Sequence, residues 1–248
     1  VRLEEKFHDM RVIRTWIWPS KSQRQLPRLM CYLSFVVSSL VLGLWNLGKY
    51  DVLILESPPI FLVPAGLILG RVTGSKVVMS VSDIWPEALV QVGQKFSKPI
   101  LKGLEWLEKF SYEHSAAVAL TNPGARKRIQ SRFPRIKTTV FSNGADTTVF
   151  RPELRSQASR ALLGIGSNDF LIIYAGLHGI AQGLEVMVDA AERLQSRIQI
   201  KFVLIGEGPT KQTLLERAKQ KNLANITFLD PKPKKEIPSI LASAMTQA

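Results

Sequence analysis

The chain has 248 residues and 46% apolar side chains, enough for one large or two modest α/β domains and too many for a disordered chain. Its 33 Lys and Arg against 20 Asp and Glu leave a formal charge of +13, which points to an anionic partner: a nucleotide, a nucleic acid or anionic lipid. No basic run is interleaved with aromatics, so nucleic acid is disfavoured, and one cysteine, Cys31, excludes an internal disulfide and fits a reducing compartment. The histidines and the cysteine have no metal-ligand spacing, so neither a metal nor a resident cofactor is expected.

Residues 2–20 are mixed and hold one short strand, MRVIRTWIW. Local basic excess follows at 21–28, and again at 126–137 and 232–235. Residues 29–48, LMCYLSFVVSSLVLGLWNLG, are uncharged between Arg28 and Lys49. About 20 apolar residues suffice to cross a bilayer. However, DVLILE (51–56) starts a buried-type strand at once, and KVVMSVSD follows the helix-like FLVPAGLILGRV. Parallel strands joined by helices belong to one sheet, and a span would split that sheet from the first strand. The run is read as a crossover helix, buried at least in part. An interfacial helix lying on a membrane is the alternative, and a true span is the least favoured.

A helix over 99–113 places Ile100, Leu101, Leu104, Leu107 and Phe110 on one face. A strand AAVALTN, a helix after Pro123 and a strand TTVFSNG follow. NGADTTVFRPE (143–153) is turn-rich and marks a boundary between domains at 1–150 and 151–248. A short helix near 155–163 opens the second domain.

From 170 to 223 a strand, a glycine loop and a helix occur twice. The first copy is FLIIYAG, LHGIAQG, LEVMVDAAERL, with Gly176, Gly179 and Gly183 in its loop and Leu184, Met187, Val188, Ala191 and Leu194 on one helix face. The second is IKFVLIG, EGP, TKQTLLERAKQKNL, with Gly206 and Gly208. Glycines between a strand's carboxyl end and a helix's amino end let backbone N–H groups approach a phosphate, and the helix end adds partial positive charge. Doubly wound domains also need glycines there for steric reasons alone. Lys211 stands where a third glycine would complete G-x-G-x-x-G, and no G-K-[ST] follows. A nicotinamide cofactor and an ATPase are both disfavoured. The chain starts at Val1 and stops at AMTQA soon after a helix begins, so it reads as a piece of a longer protein.

Asp83, just past a strand's carboxyl end in VMSVSDIWPEAL, either orients a hydroxyl or caps the helix near Pro86. Trp85 and Glu87 could border the same cleft, with Trp85 better read as a packing residue. His178 is a donor to phosphate or sugar, or a solvated loop histidine. Gln182 is a neutral donor at the helix start. Lys211 is a point charge for a diphosphate, or a surface lysine. Asn143 and Gly144 are at least a turn.

LESPPIFLVPAG, SVSDIWPEALVQVG, FSNGADTTVFRP, YAGLHGIAQGLEVMVDAA and FVLIGEGPTKQTLLERAKQKNLANITFLD together resemble the family 4 glycosyltransferases, in order and from about residue 29 onward. The nearest likeness is to the bacterial branch that builds O-antigen, capsule and exported polysaccharide. The resemblance implies a GT-B fold: two Rossmann-like α/β domains across a cleft, both incomplete here at their outer ends. It implies a retaining transferase with no required metal, cytoplasmic and peripheral on the plasma membrane. Its expected partners are a nucleoside-diphosphate sugar, a lipid-linked saccharide acceptor and an anionic membrane surface. Donor contacts are implied at Gly176, His178, Gly179, Gln182, Gly183, Gly206, Glu207 and Gly208, with Asn143 and Gly144. Lys211 would stabilise the leaving diphosphate and Asp83 would meet the acceptor hydroxyl. The chain departs from the pattern near Leu177 and at Gln182, where many members carry Arg and Lys. The family's two glutamates spaced eight apart would lie beyond Ala248, and its first strand and glycine loop would lie before Val1. A sugar-nucleotide 2-epimerase and a donor-binding subunit without catalysis are the alternatives.

Overall fold

The computed structural model describes residues 4–20 and 25–244, so part of the basic 21–28 stretch and the end of AMTQA lie outside the described residues. The chain divides into two α/β units, Val1–Asn143 and Gly144–Ala248. The division falls earlier than the 150/151 boundary read from the sequence. The turn closed by Asp146, whose carboxylate accepts from the Thr148 N–H at 2.9 Å, belongs to the second unit.

The first unit opens with an antiparallel hairpin of β1 (Glu4–Phe7) and β2 (Met10–Ile13). Then come α1 (Gln25–Asn46), β3 (Val52–Ser57), α2 (Leu62–Thr73), β4 (Lys76–Val81), α3 (Glu87–Gln91), α4 (Lys98–His114), β5 (Ala117–Leu120), α5 (Pro123–Arg132) and β6 (Thr138–Val140). The sheet is parallel in the order β3-β4-β5-β6. Leu55, Val77, Met79, Val81, Val118 and Leu120 supply its core, with Ile60, Val63, Tyr112 and Ile129 against them. Burying such side chains stabilises by roughly 1.5–3 kcal/mol each.

Three sequence expectations are corrected here. MRVIRTWIW is a strand only over Met10–Ile13, and it pairs with β1 rather than joining the parallel sheet. His8, at φ 54, makes the tight turn that reverses the chain. Second, α1 is partly buried but not a crossover: only 6% of Leu29–Asn46 is fully buried, and the rest is half-buried or exposed. It does not connect two strands of the sheet, so the argument against exposing it lapses. Third, α4 turns Glu108, Ser111 and Tyr112 inward, while Ile100 of the predicted apolar face is exposed.

One flank of α1 packs on α2, where Gly43 sits against Leu69. A second flank carries serines that hold the 16–18 strap: Ser34 Oγ accepts from the Trp18 N–H at 2.8 Å, and Ser38 Oγ donates to the Trp16 carbonyl. The remaining flank exposes Leu26, Met30, Leu33, Val37, Val41 and Leu44, three or four residues apart.

The second unit runs α6 (Gln157–Leu162), β7 (Phe170–Ala175), α7 (Glu185–Arg193), β8 (Ile200–Ile205), α8 (Lys211–Gln220), β9 (Ile226–Leu229) and α9 (Ile237–Ala242). Its sheet is parallel in the order β7-β8-β9. Central β8 is covered on both faces, so Phe202 to Ile205 are all buried and the strand reads as one apolar run. Leu184, Val188 and Ala191 of α7 pack on one face, with Met187 and Leu194 beside them, as their spacing predicts. On the other face Arg160 is buried and donates to the carbonyls of Gly166 (2.7 Å), Asp169 (2.6 Å) and Ser243 (2.6 Å), joining α6 to the end of α9.

Candidate functional site

All three strands of the second unit end at one edge, and both glycine loops lie there. Residues 176–183 follow β7 and lead into α7, and residues 206–210 follow β8 and lead into α8. The loops are hydrogen-bonded to each other. The His178 N–H donates to the Glu207 carbonyl at 2.8 Å, and the Thr210 N–H and hydroxyl both donate to the His178 carbonyl, at 3.0 and 2.8 Å. Gly176 N–H donates to the Ile205 carbonyl at 2.9 Å.

This contact divides the glycines. A Cβ on Gly206 would overlap the Gly176 carbonyl, and one on Gly208 would overlap the His178 backbone. Both are needed for close approach of backbone to backbone. Gly183, at φ 57, closes the short turn Ile180–Gln182. Gly179 is different. It is buried with an extended backbone (φ −105, ψ 168), and an added Cβ would meet the far end of Gln182, 2.5 Å away, and touch the Leu177 side chain at 3.5 Å. Among the described residues the N–H groups of Leu177, Gly179 and Ile180 have no backbone acceptor. They are free donors on the loop and short turn that lead toward α7.

His178 is fully buried, with its ring between Tyr174 (5.9 Å) and Phe228 (6.5 Å). Neither ring nitrogen has a hydrogen-bond partner among the described residues. Burial, and then the nearby Lys211 charge, hold its pKa below the usual histidine range, so the ring is neutral at pH 7. The ring thus packs inside the unit rather than projecting from the loop.

Lys211 opens α8 and is almost buried. Its ammonium donates to Glu207 Oε1 at 2.6 Å and to Asp230 Oδ1 at 2.8 Å. Asp230, then Glu207, hold it above the ordinary lysine range, and Lys211 holds Asp230 below the ordinary carboxylate range. Asp230, just past β9, was missed in the sequence. It occupies the same kind of strand-end position as Asp83, in TFLD as against SVSD, and that parallel was the available signal.

In the first unit Asp83 is exposed past the end of β4 and makes no hydrogen bond or ion pair among the described residues. It does not cap α3: Pro86 precedes that helix and no side chain caps it. Ser82 donates its hydroxyl to Glu56, at the end of the neighbouring strand. Trp85 is partly buried against the core and meets Phe61 edge to face at 6.2 Å. Glu87 is committed to Arg128, 2.7 Å away. Arg132 in turn makes two bonds, 3.0 and 2.6 Å, to the carboxylate of Glu108, a fully buried group that nothing in the sequence singles out. Asn143 and Gly144 lie exposed at the junction of the units.

So the second unit gathers Gly176, His178, Gly179, Gln182, Gly183, Gly206, Glu207, Gly208 and Lys211 at one edge, while Asp83 belongs to the first unit. Residues 2–144 match the model of the glycosyl transferase 4-like domain, which is more than half of the chain. The chain belongs to the glycosyl transferase 4-like family. Residues 156–246 match the glycosyl transferases group 1 model. The chain is 25% identical over 237 residues to WcaI of Escherichia coli (strain K12), named for a glycosyl transferase role in colanic acid biosynthesis. That match covers 93% of this chain and 58% of WcaI. The fold is similar to that of Anabaena HepE, crystallised with UDP and glucose (TM-score 0.62, 18% identity, 90% of this chain and 57% of that one). It is also similar to WaaG, a glycosyltransferase involved in lipopolysaccharide biosynthesis (TM-score 0.62, 14% identity, 91% and 59%). These likenesses show the GT-B type of fold. This family member thus spans a little over half the length of its relatives.

Proposed function

We propose that the whole protein transfers a sugar from a nucleoside-diphosphate sugar, with retention, to a lipid-linked saccharide acceptor in envelope or exported polysaccharide synthesis. One observation carries the reading: the free N–H groups of Leu177, Gly179 and Ile180 in the glycine loop between β7 and α7, in a chain of this family. Charge grows on the departing diphosphate during transfer, and donors already fixed in place stabilise it without reorganisation. In this reading Gly176, Gly179, Gln182 and Gly183 cradle the diphosphate. Gly206, Glu207 and Gly208 support the cradle from the next loop, and His178 supports it from inside. Lys211 supplies the cation, and Asn143 and Gly144 contribute donor contacts. Asp83, exposed and unpartnered, orients the acceptor hydroxyl or takes its proton. UDP is the first probe because HepE was crystallised with it.

Gly179→Val tests the site. Gly179 is buried, but valine can adopt its extended backbone and the nearest obstacles are the ends of the flexible Gln182 and Leu177 side chains, so the fold is expected to survive while the added bulk crowds the free N–H groups. Calorimetric titration of the full-length protein should show UDP or GDP binding weakened by at least about tenfold, a loss of about 1.4 kcal/mol or more. Unchanged binding in a folded variant would reduce the loop to a turn and remove the site.

The same reading makes the protein peripheral on the cytoplasmic face of the plasma membrane, with α1 in the interface. The exposed apolar flank of α1 supports this, and so does its attachment to α2 and to the 16–18 strap, which a spanning orientation would break. Full-length protein is expected to leave membranes in alkaline carbonate. Release by detergent alone would make α1 a span.

A further inference from the structure

The cation of the candidate donor site is already occupied. Lys211 Nζ lies 2.6 Å from Glu207 and 2.8 Å from Asp230, with the Leu229 carbonyl at 3.5 Å. The lysine is nearly enclosed, whereas the Glu207 and Asp230 side chains are 59% and 89% exposed. One ammonium thus bridges two carboxylates, with Lys232 as a further cation near Asp230, and both carboxylates stand at the strand-end edge where the glycine loops lie. Leu177 and Ile180, exposed at the tip of the first loop, add no cation.

From this arrangement we infer that Glu207 and Asp230 compete with the donor's diphosphate for Lys211 and thereby set how tightly the site holds a nucleoside diphosphate. The inference rests on the reading of 176–183 and Lys211 as the diphosphate site. A diphosphate entering the cradle meets an ammonium that must turn away from one or both carboxylates, and the ion pairs given up count against binding. Binding is weakened for the substrate and for the nucleoside diphosphate left after transfer. A leaving group held loosely departs sooner, which matters where product release limits turnover. Glu207 therefore acts against ligand binding although it sits in the donor loop, and Asp230 shares that role.

The experiment is calorimetric titration of full-length protein with UDP, GDP and inorganic pyrophosphate in magnesium-free buffer. Glu207→Gln and Asp230→Asn preserve shape and remove one charge each. Each is expected to tighten binding about twofold to fivefold, the range that one partly exposed ion pair commands. Lys211→Met keeps the buried stem and should weaken binding about tenfold. In the Lys211→Met background, Glu207→Gln should tighten binding much less, because there is no lysine left to compete for. Thermal melting identifies any variant that fails to fold, and the two carboxylate variants check each other. If Lys211→Met weakens binding while neither carboxylate variant tightens it, the competition is overturned and the site stands. If Lys211→Met changes nothing, Lys211 is not a diphosphate contact and the inference falls with that reading. Equal tightening with and without the lysine would mean direct repulsion and also overturn it. So would failure of all three probes to bind wild type and every variant.

Discussion

Gly206→Ala is expected to disrupt the second unit rather than merely its ligand affinity. A single methyl group there collides with the Gly176 carbonyl, and Gly206 sits at φ 147, where alanine is strained. The obstacle is backbone at the end of β7, anchored by the Gly176 N–H to Ile205 bond, so it has no rotamer by which to retreat. Overlap of this kind, added to the backbone strain, costs at least about 3 kcal/mol. Gly208→Ala meets the His178 backbone and should behave the same way. Gly144→Ala, which has open space around its Cβ, is the control and should be within about 0.5 kcal/mol of wild type. Thermal and urea melts followed by circular dichroism decide the matter. Wild-type stability in Gly206→Ala would mean that the two loops do not interlock as described.

The second large effect is expected in the first unit. Arg132→Met should cost about 3–5 kcal/mol, because it strands the buried Glu108 carboxylate without its bidentate partner. Burial holds Glu108 above the ordinary carboxylate range even with Arg132 in place. Without the guanidinium the carboxyl rises further and takes up a proton in the folded state. The folded variant then binds more protons than the unfolded chain, so its stability falls as pH rises. The deficit should therefore be largest at neutral pH and shrink toward pH 4–5, near the unfolded glutamate value of about 4.3. Glu108→Gln in the Arg132→Met background should recover part of the loss at pH 7 and flatten the pH profile. A deficit independent of pH would show that lost packing, not the stranded charge, is responsible.

The sequence made the two parallel sheets and the helix–strand alternation legible because buried strands such as FVLI write themselves as unbroken apolar runs. The paired glycine loops were legible too, but not the division of labour within them. Gly179 and Gly208 look alike as letters. One has an extended backbone that any residue can adopt, and the other is pressed against the next loop. That difference arises between loops about 30 residues apart and has no local signature. His178 was read as a loop side chain because polar residues in loops usually face water, yet its ring fills a gap between Tyr174 and Phe228. Glu108 was invisible for the same reason: a helix period sorts apolar from charged, and only the fold brings Arg132 to it. The β1–β2 turn was missed because it uses His8 and Asp9 rather than the Asn-Gly that announces a hairpin. The apolar run at 29–48 is covered only in part and is not a crossover, since hydrophobicity states what a residue prefers and not what covers it.

Strand β3 is the outer strand of its sheet, and Val52 and Ile54 are 49% and 68% exposed along it. An edge strand carries a row of unsatisfied peptide groups, and here apolar side chains accompany them without lysine, proline or a bulge to deter a visitor. This edge is therefore a place where copies of the chain can join. Solution behaviour should depend steeply on protein concentration, with new β-structure and light scattering growing together. A charged residue at Ile54 should suppress both.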